Sequence, residues 1–175
     1  VFDYDGDGVV DEQAEKFLLA DSFDESASKD NTIIVGSSDG QSLLGGAGDD
    51  FLFDDGGDDT VAAGLGDDRI RMGAGADTID GGEGIDTIDF TDAGGGVKVD
   101  LSAGTAIDNN DSTDTLSNIE NVIGSRAIDT IKGDSSDNQI EGAGGGDSID
   151  AGAGADIVVG GEGSDTLSGG DGDDI

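Results

Sequence analysis

Carboxylates recur in this chain at a fixed interval, and oxygen donors placed in that way can hold hard cations. From Gly45 the sequence divides into nonapeptides: GGAGDDFLF, DDGGDDTVA, AGLGDDRIR, MGAGADTID and GGEGIDTID. From Gly124 it does so again: GSRAIDTIK, GDSSDNQIE, GAGGGDSID, AGAGADIVV, GGEGSDTLS and a broken GGDGDDI. With the places of each unit counted one to nine, place six is Asp50, Asp59, Asp68, Asp77 and Asp86, then Asp129, Asn138, Asp147, Asp156, Asp165 and Asp174. Place eight is a large aliphatic throughout: Leu52, Val61, Ile70, Ile79 and Ile88, then Ile131, Ile140, Ile149, Val158 and Leu167. Place four is glycine in most units. Three residue classes held in one phase mark a repeat architecture.

Those carboxylates need elements that bring them together. Places seven to nine, as in Thr78-Ile79-Asp80, set a β-branched residue beside an inward aliphatic and suit a short strand. The six glycine-rich residues before them reverse the chain and leave carbonyls free to point at a common centre. Two units, read as strand, turn, strand, turn, close one coil of a parallel solenoid, so residues eighteen apart stack at roughly 4.8 Å. The expected fold class is all-β: a parallel β-roll, a right-handed β-solenoid, in two blocks over 31–90 and 124–175 with a β-rich insertion between them.

Stacking creates an electrostatic problem. Two ionised carboxylates at that spacing repel by about 0.9 kcal/mol in water and several-fold more at a protein-like dielectric. Lys and Arg number only 7 and do not occupy the turns in phase. Carboxylate and carbonyl oxygens from successive turns make a hard oxygen cage suited to Ca²⁺, whereas Mg²⁺ demands near-octahedral geometry and keeps its waters. Besides place six, the candidate ligand set takes in backbone positions at places one and three of the turns. These are Gly45, Ala47, Gly56, Leu65, Ala74 and Glu83 in the first block, and Gly142, Gly144, Ala151, Ala153, Gly160 and Glu162 in the second. At extracellular-module affinities of about 10⁻⁴ M and millimolar Ca²⁺, each ion contributes roughly 1.4 kcal/mol. Roughly eight ions would then rival the whole stability of a typical domain.

Composition agrees and excludes much else. The 175 residues carry 42 acidic and 7 basic side chains, a formal net charge of −35. Cys, His, Pro and Trp are absent, which rules out disulfides, zinc fingers, a cysteine nucleophile and a Ser/His/Asp triad on these residues. So negative a field repels nucleic acid and anionic lipid, and apolar runs such as Phe17-Leu18-Leu19-Ala20 fall far short of the roughly 20 residues that span a bilayer. No direct membrane insertion is expected. Neither HExxH nor GxSxG occurs, and a glycosidase carboxylate pair would lack an aromatic-lined cleft. The pattern breaks off at Ile175 within a unit, as a piece of a longer chain would.

These nonapeptides resemble the RTX (repeats-in-toxin) calcium-binding repeats, GGxGxDxUx, also called the hemolysin-type calcium-binding region. The resemblance covers 31–90 and 124–175 and is closest at 45–53, 81–89 and 160–168. It implies Ca²⁺ shared by the place-six pairs Asp50/Asp68, Asp59/Asp77, Asp68/Asp86, Asp129/Asp147, Asn138/Asp156, Asp147/Asp165 and Asp156/Asp174. Three departures imply weak or absent binding: Gln41 at a place-six position, Asp54-Asp55 in place of the first glycine pair, and Ser125-Arg126-Ala127 without glycine.

Two segments stand apart. Asp3, Asp5 and Asp7, with Gly8 and the later carboxylates of Asp11 and Glu12, resemble the front half of an EF-hand calcium loop, and 13–20 is expected to form its exit helix. Residues 21–30 read as a linker. In 91–123, Val97-Lys98-Val99-Asp100-Leu101 alternates as a half-buried strand should, and Leu116, Ile119, Val122 and Ile123 offer a second apolar set. This insertion reads as a bulge or cap packed on the rolls.

Three function classes follow. By the resemblance, the first is a calcium-folded module that supports secretion and stability of a secreted bacterial protein, exported unfolded by type I secretion machinery and folding in extracellular Ca²⁺. Absence of Cys and Pro suits that route, since crosslinks and slow isomerisation would hinder it. The second is a structural spacer of a surface layer, adhesin or filament, with self-association or cell-surface partners. The third is the C-terminal part of a secreted hydrolase whose catalytic domain lies elsewhere. The residues in hand are not expected to be an enzyme.

Overall fold

The structure, a computed structural model, describes residues 16–19, 23–24, 29–109 and 111–175. Strands β1 (Lys16–Leu19), β2 (Phe23–Asp24), β3 (Thr32–Val35), β4 (Ser42–Ala47), β5 (Phe51–Phe53), β6 (Thr60–Leu65), β7 (Arg69–Arg71), β8 (Thr78–Glu83) and β9 (Thr87–Asp89) alternate between two facing sheets. Odd-numbered strands pair in parallel in one sheet and even-numbered strands in the other. From β3 onward the register is eighteen residues: Leu52 lies beside Ile70 and Ile70 beside Ile88, while Val61 lies beside Ile79. This is the β-roll that the spacing predicts.

The roll starts earlier in the chain than the sequence suggests. Where an exit helix is expected over 13–20, Lys16–Leu19 is a strand in register with Thr32–Val35, and within the expected linker Phe23–Asp24 pairs with Leu43 and Leu44. The helix reading rested on one apolar run too short to set a period. A strand there gives the backbone groups along the edge of β3 hydrogen-bond partners. The EF-hand-like residues Asp3, Asp5, Asp7, Asp11 and Glu12 lie outside the described residues.

The insertion is threaded into the sheets rather than laid over them. After β9 the chain forms β10 (Lys98–Asp100), β11 (Thr105–Ile107), β12 (Thr113–Ser117) and β13 (Asn121–Ile123). Strand β11 runs antiparallel to both β10 and β12; β12 continues the even sheet beside β8, and β13 continues the other sheet beside β9. The second block then follows as β14 (Thr130–Lys132), β15 (Gln139–Glu141), β16 (Gly144–Gly145), β17 (Ser148–Ala153), β18 (Ile157–Val159), β19 (Glu162–Gly163) and β20 (Thr166–Asp171). Strand β10 joins β14 and β13 joins β15, so the two blocks share sheets of 8 and 10 strands, and β16 with β19 forms a small ladder in the turns.

Place eight builds the core between the sheets. Leu52, Ile70, Ile79, Ile88 and Ile140 are fully buried, and Val97, Val99, Ala106, Leu116 and Val122 carry the same column across the insertion. Each such side chain contributes about 1.5–3 kcal/mol by leaving water. On the strand exteriors Arg69 and Arg71 reach Asp89 at 2.7 and 3.3 Å, and Arg71 stacks over Phe53.

Candidate metal centre

Each turn presents its place-six side chain to the turn before it. Asp68 accepts the backbone N–H of Asp50 at 2.6 Å through Oδ1, Asp77 that of Asp59 at 2.8 Å, and Asp86 that of Asp68 at 2.8 Å. The second block repeats the contact, from Asp129 to Asp147 at 2.9 Å, Asn138 to Asp156 at 2.8 Å, Asp147 to Asp165 at 3.0 Å and Asp156 to Asp174 at 3.2 Å. All seven pairs expected from the repeat are therefore neighbours, tied by one carboxylate oxygen. The other oxygen differs. Oδ2 of Asp59, Asp68, Asp77, Asp86, Asp147 and Asp156 is buried without a hydrogen-bond partner. A buried, unsatisfied carboxylate oxygen is costly unless something positive reaches it.

Glycine makes this arrangement possible. Gly64 and Gly66, at places two and four, have φ of 123° and 119°, a region that L side chains rarely adopt, and a Cβ on Gly66 would strike the Gly48 carbonyl. At place one, a Cβ on Gly45 would come within 2.6 Å of Asp50 Oδ2, and one on Gly142 within 2.5 Å of Asp147 Oδ2 and 2.6 Å of the Gly160 carbonyl. Space around those oxygens is thus kept open, and a backbone carbonyl faces it. Gly160 has the same relation to Asp165, while Ala151 is buried with its carbonyl towards Gly133.

Place three is more heavily committed than the sequence suggests. The carbonyls of Leu65, Ala74 and Glu83 accept the N–H groups of Gly48, Gly57 and Gly66 at 2.7–2.9 Å. Ala47 pairs with Leu65, Gly56 bridges to Ala74, Gly144 pairs with Glu162, and Ala153 pairs with Asp171. Place three therefore takes part in the ladder between turns.

Three turns satisfy their own place-six group. Ser37 N–H donates to Gln41 Oε1 at 2.9 Å, Ser125 N–H to Asp129 Oδ2 at 2.7 Å, and Asp134 N–H to Asn138 Oδ1 at 2.9 Å. Ser125 Oγ also meets Asp129 Oδ1 at 2.7 Å, and Asn138 Nδ2 donates to the Glu120 carbonyl at 2.8 Å. A non-glycine residue at place two is common to all three, and its N–H reaches the place-six oxygen from within the same turn. Two of them are turns whose departures from the pattern imply weak binding.

Several acids escaped the sequence reading. Asp114 Oδ1 accepts the N–H of Asp77 at 3.1 Å and Glu120 Oε2 that of Asp86 at 2.8 Å, so the insertion repeats the place-six contact. Asp114-Thr115-Leu116 carries the signal, since it reads like Asp165-Thr166-Leu167. Place five runs the opposite way on the surface, with Asp49 and Asp58 accepting the N–H of Asp67 and Ala76, each at 3.0 Å.

Burial governs the acidities. It pushes Asp59 up to about 6, Asp68 to about 7, Asp86 to about 6 and Asp114 to about 7, against the downward pull of the N–H each accepts. Asp54 rises to about 9 through burial and then the charges of Asp77 and Asp59. Without a cation Asp54 keeps its proton at neutral pH, and Asp68 and Asp114 are part-protonated there. Buried carboxylates with open oxygens, facing carbonyls, and no thiolate or imidazole form a donor set that fits a hard divalent ion, Ca²⁺ above all.

Comparison with known sequences agrees with this chemistry. The RTX calcium-binding nonapeptide repeat (4 copies) matches residues 35–70, 55–88, 114–149, 123–158 and 150–175, together more than half of the chain. No curated protein matches it. A parallel roll, a stacked acidic column and these matches lead to one assignment: the chain belongs to the RTX calcium-binding nonapeptide repeat family, whose repeats bind Ca²⁺.

Proposed function

We propose that this chain is a module that folds on extracellular Ca²⁺ and supports secretion and stability of a larger secreted bacterial protein. The carrying observation is the column of buried Oδ2 atoms without hydrogen-bond partners at Asp59, Asp68, Asp77, Asp86, Asp147 and Asp156. Those carboxylates, with Asp50, Asp165 and Asp174 and the carbonyls at place one, would hold the ions. Bound Ca²⁺ supplies positive charge between stacked turns. The chain's own residues do the rest. Oδ1 of each place-six aspartate clamps the preceding turn, and glycines at places one, two and four keep the oxygens accessible. Where Ca²⁺ is scarce the acids repel and the turns have no bridge, which keeps the chain open for export by type I secretion machinery; millimolar Ca²⁺ outside closes it.

The test is circular dichroism with isothermal titration calorimetry on the whole chain. Strand signal should appear on adding millimolar Ca²⁺ to metal-stripped protein and vanish in chelator, with several ions bound. Full strand signal in chelator at neutral pH refutes the reading. Fusion to a type I export signal would test the secretion role, release being lost when cytosolic Ca²⁺ is raised enough to fold the chain.

A further inference from the structure

We propose that Asp54, Asp59 and Asp77 form a three-carboxylate site that holds one hard cation more tightly than any place-six pair does. It rests on the reading of place-six carboxylates as cation ligands, and adds a ligand that the nonapeptide pattern does not contain. Place one points inward: elsewhere in the first block it is Gly45, Gly81 or the buried apolar Ala63 and Met72. At Asp54 the same direction carries a carboxylate with 0 % exposure. A carboxylate oxygen from each of Asp54, Asp59 and Asp77 lies within 4.8 Å of the others, the one such convergence among the described residues. Oδ2 of all three is buried and lacks a hydrogen-bond partner. Asp54 Oδ1 accepts the N–H of Gly73, which leaves Oδ2 as the open atom.

Loss of the glycine pair at Asp54-Asp55, expected to weaken this turn, does not derail the chain. Asp55 takes φ of 47° at the place where other turns use glycine, and Gly57 keeps φ of 97°. Aspartate tolerates that region better than most side chains. The nearby arginines are engaged elsewhere, with Asp89 and Asp92. Three carboxylates shielded from water can all ionise only around a cation of high charge density, and affinity in oxygen cages rises with the number of charged ligands.

Calcium titration calorimetry on the whole chain decides the matter, with wild type compared against Asp54→Gly, which restores the family residue, and Asp54→Asn, which keeps the shape. Strand signal in saturating Ca²⁺ establishes that each variant folds. The expected result is one site tighter than the rest in wild type, weakened about tenfold or more in both variants with the total number of ions unchanged. Isotherms of both variants that superimpose on a wild type binding several ions overturn this site and leave the repeat reading standing. A wild type that binds no Ca²⁺ overturns both.

Discussion

Asp86 accepts the backbone N–H of Asp68 through Oδ1 at 2.8 Å, while the Oδ2 atoms of both carboxylates are buried with no hydrogen-bond partner. One oxygen of each side chain therefore serves the backbone, and the other is reserved. The two roles can be separated by mutation.

Asp68→Asn keeps the Oδ1 acceptor and removes one charge and one ligand oxygen from two adjacent pairs. With Ca²⁺ present the variant should be less stable by about 1–3 kcal/mol, the worth of one or two ions. In chelator the sign reverses, because a buried unpaired charge has gone. Thermal unfolding in saturating Ca²⁺ measures the first and the strand signal left in chelator, compared with wild type, the second; a variant with less strand signal than wild type in chelator would refute the division of labour. Asn138, which donates its Nδ2 to the Glu120 carbonyl, shows that the fold accommodates the amide.

The raised acidities give a pH dependence of definite sign. In the fold Asp59, Asp68 and Asp86 hold their protons up to about 6 or 7, whereas unfolded aspartate releases its proton near 3.8. Between those values the folded chain binds more protons, so the stability of metal-stripped protein rises as pH falls from 7 towards 4. Protons also compete with Ca²⁺, so the midpoint of Ca²⁺-induced folding moves to higher concentration over the same range. Strand signal of stripped protein at pH 4.5 and 7.5 checks the first trend, and a calcium titration at pH 5.5 and 7.5 the second.

Ala143 adopts φ of 66° at place two, where Gly161 and Gly170 have φ of 94° and 102°. A left-handed conformation costs a non-glycine residue about 1–2 kcal/mol, partly offset by the flexibility glycine adds to the unfolded chain. Ala143→Gly should therefore stabilise the calcium-bound roll by about 0.5–1 kcal/mol in urea unfolding. A loss of stability would show that the methyl group is worth more than the strain.

Ile70 is fully buried between Leu52 and Ile88 in the odd-numbered sheet. Ile70→Ala should cost about 2–5 kcal/mol in Ca²⁺, since the stacked strands cannot close over the cavity. Equilibrium unfolding in saturating Ca²⁺ reads this directly.

The nine-residue phase was enough to place the aliphatic column and to pair the acids eighteen apart, because both follow from strand geometry alone. It was silent on partners chosen by tertiary context. Lys16–Leu19 lies outside the phase and is a strand only because β3 offers it an edge. Asp114 and Glu120 complete the ladder at separations of 37 and 34 residues from Asp77 and Asp86, spacings that no periodic reading would match. The place of Asp54 was not legible either: a lost glycine reads as a damaged turn, and only the fold brings its carboxylate within 4.8 Å of those of Asp59 and Asp77.

The reversal through β10, β11 and β12 bears on how the array finds its alignment. Coils that resemble one another invite slippage by a whole coil, since a shifted chain would still match aliphatic to aliphatic. A strand running backwards has no equivalent elsewhere among the described residues, and the odd spacings on either side of it fit only one neighbour. The insertion thus serves as a bookmark, from which coils on both sides can be counted without ambiguity.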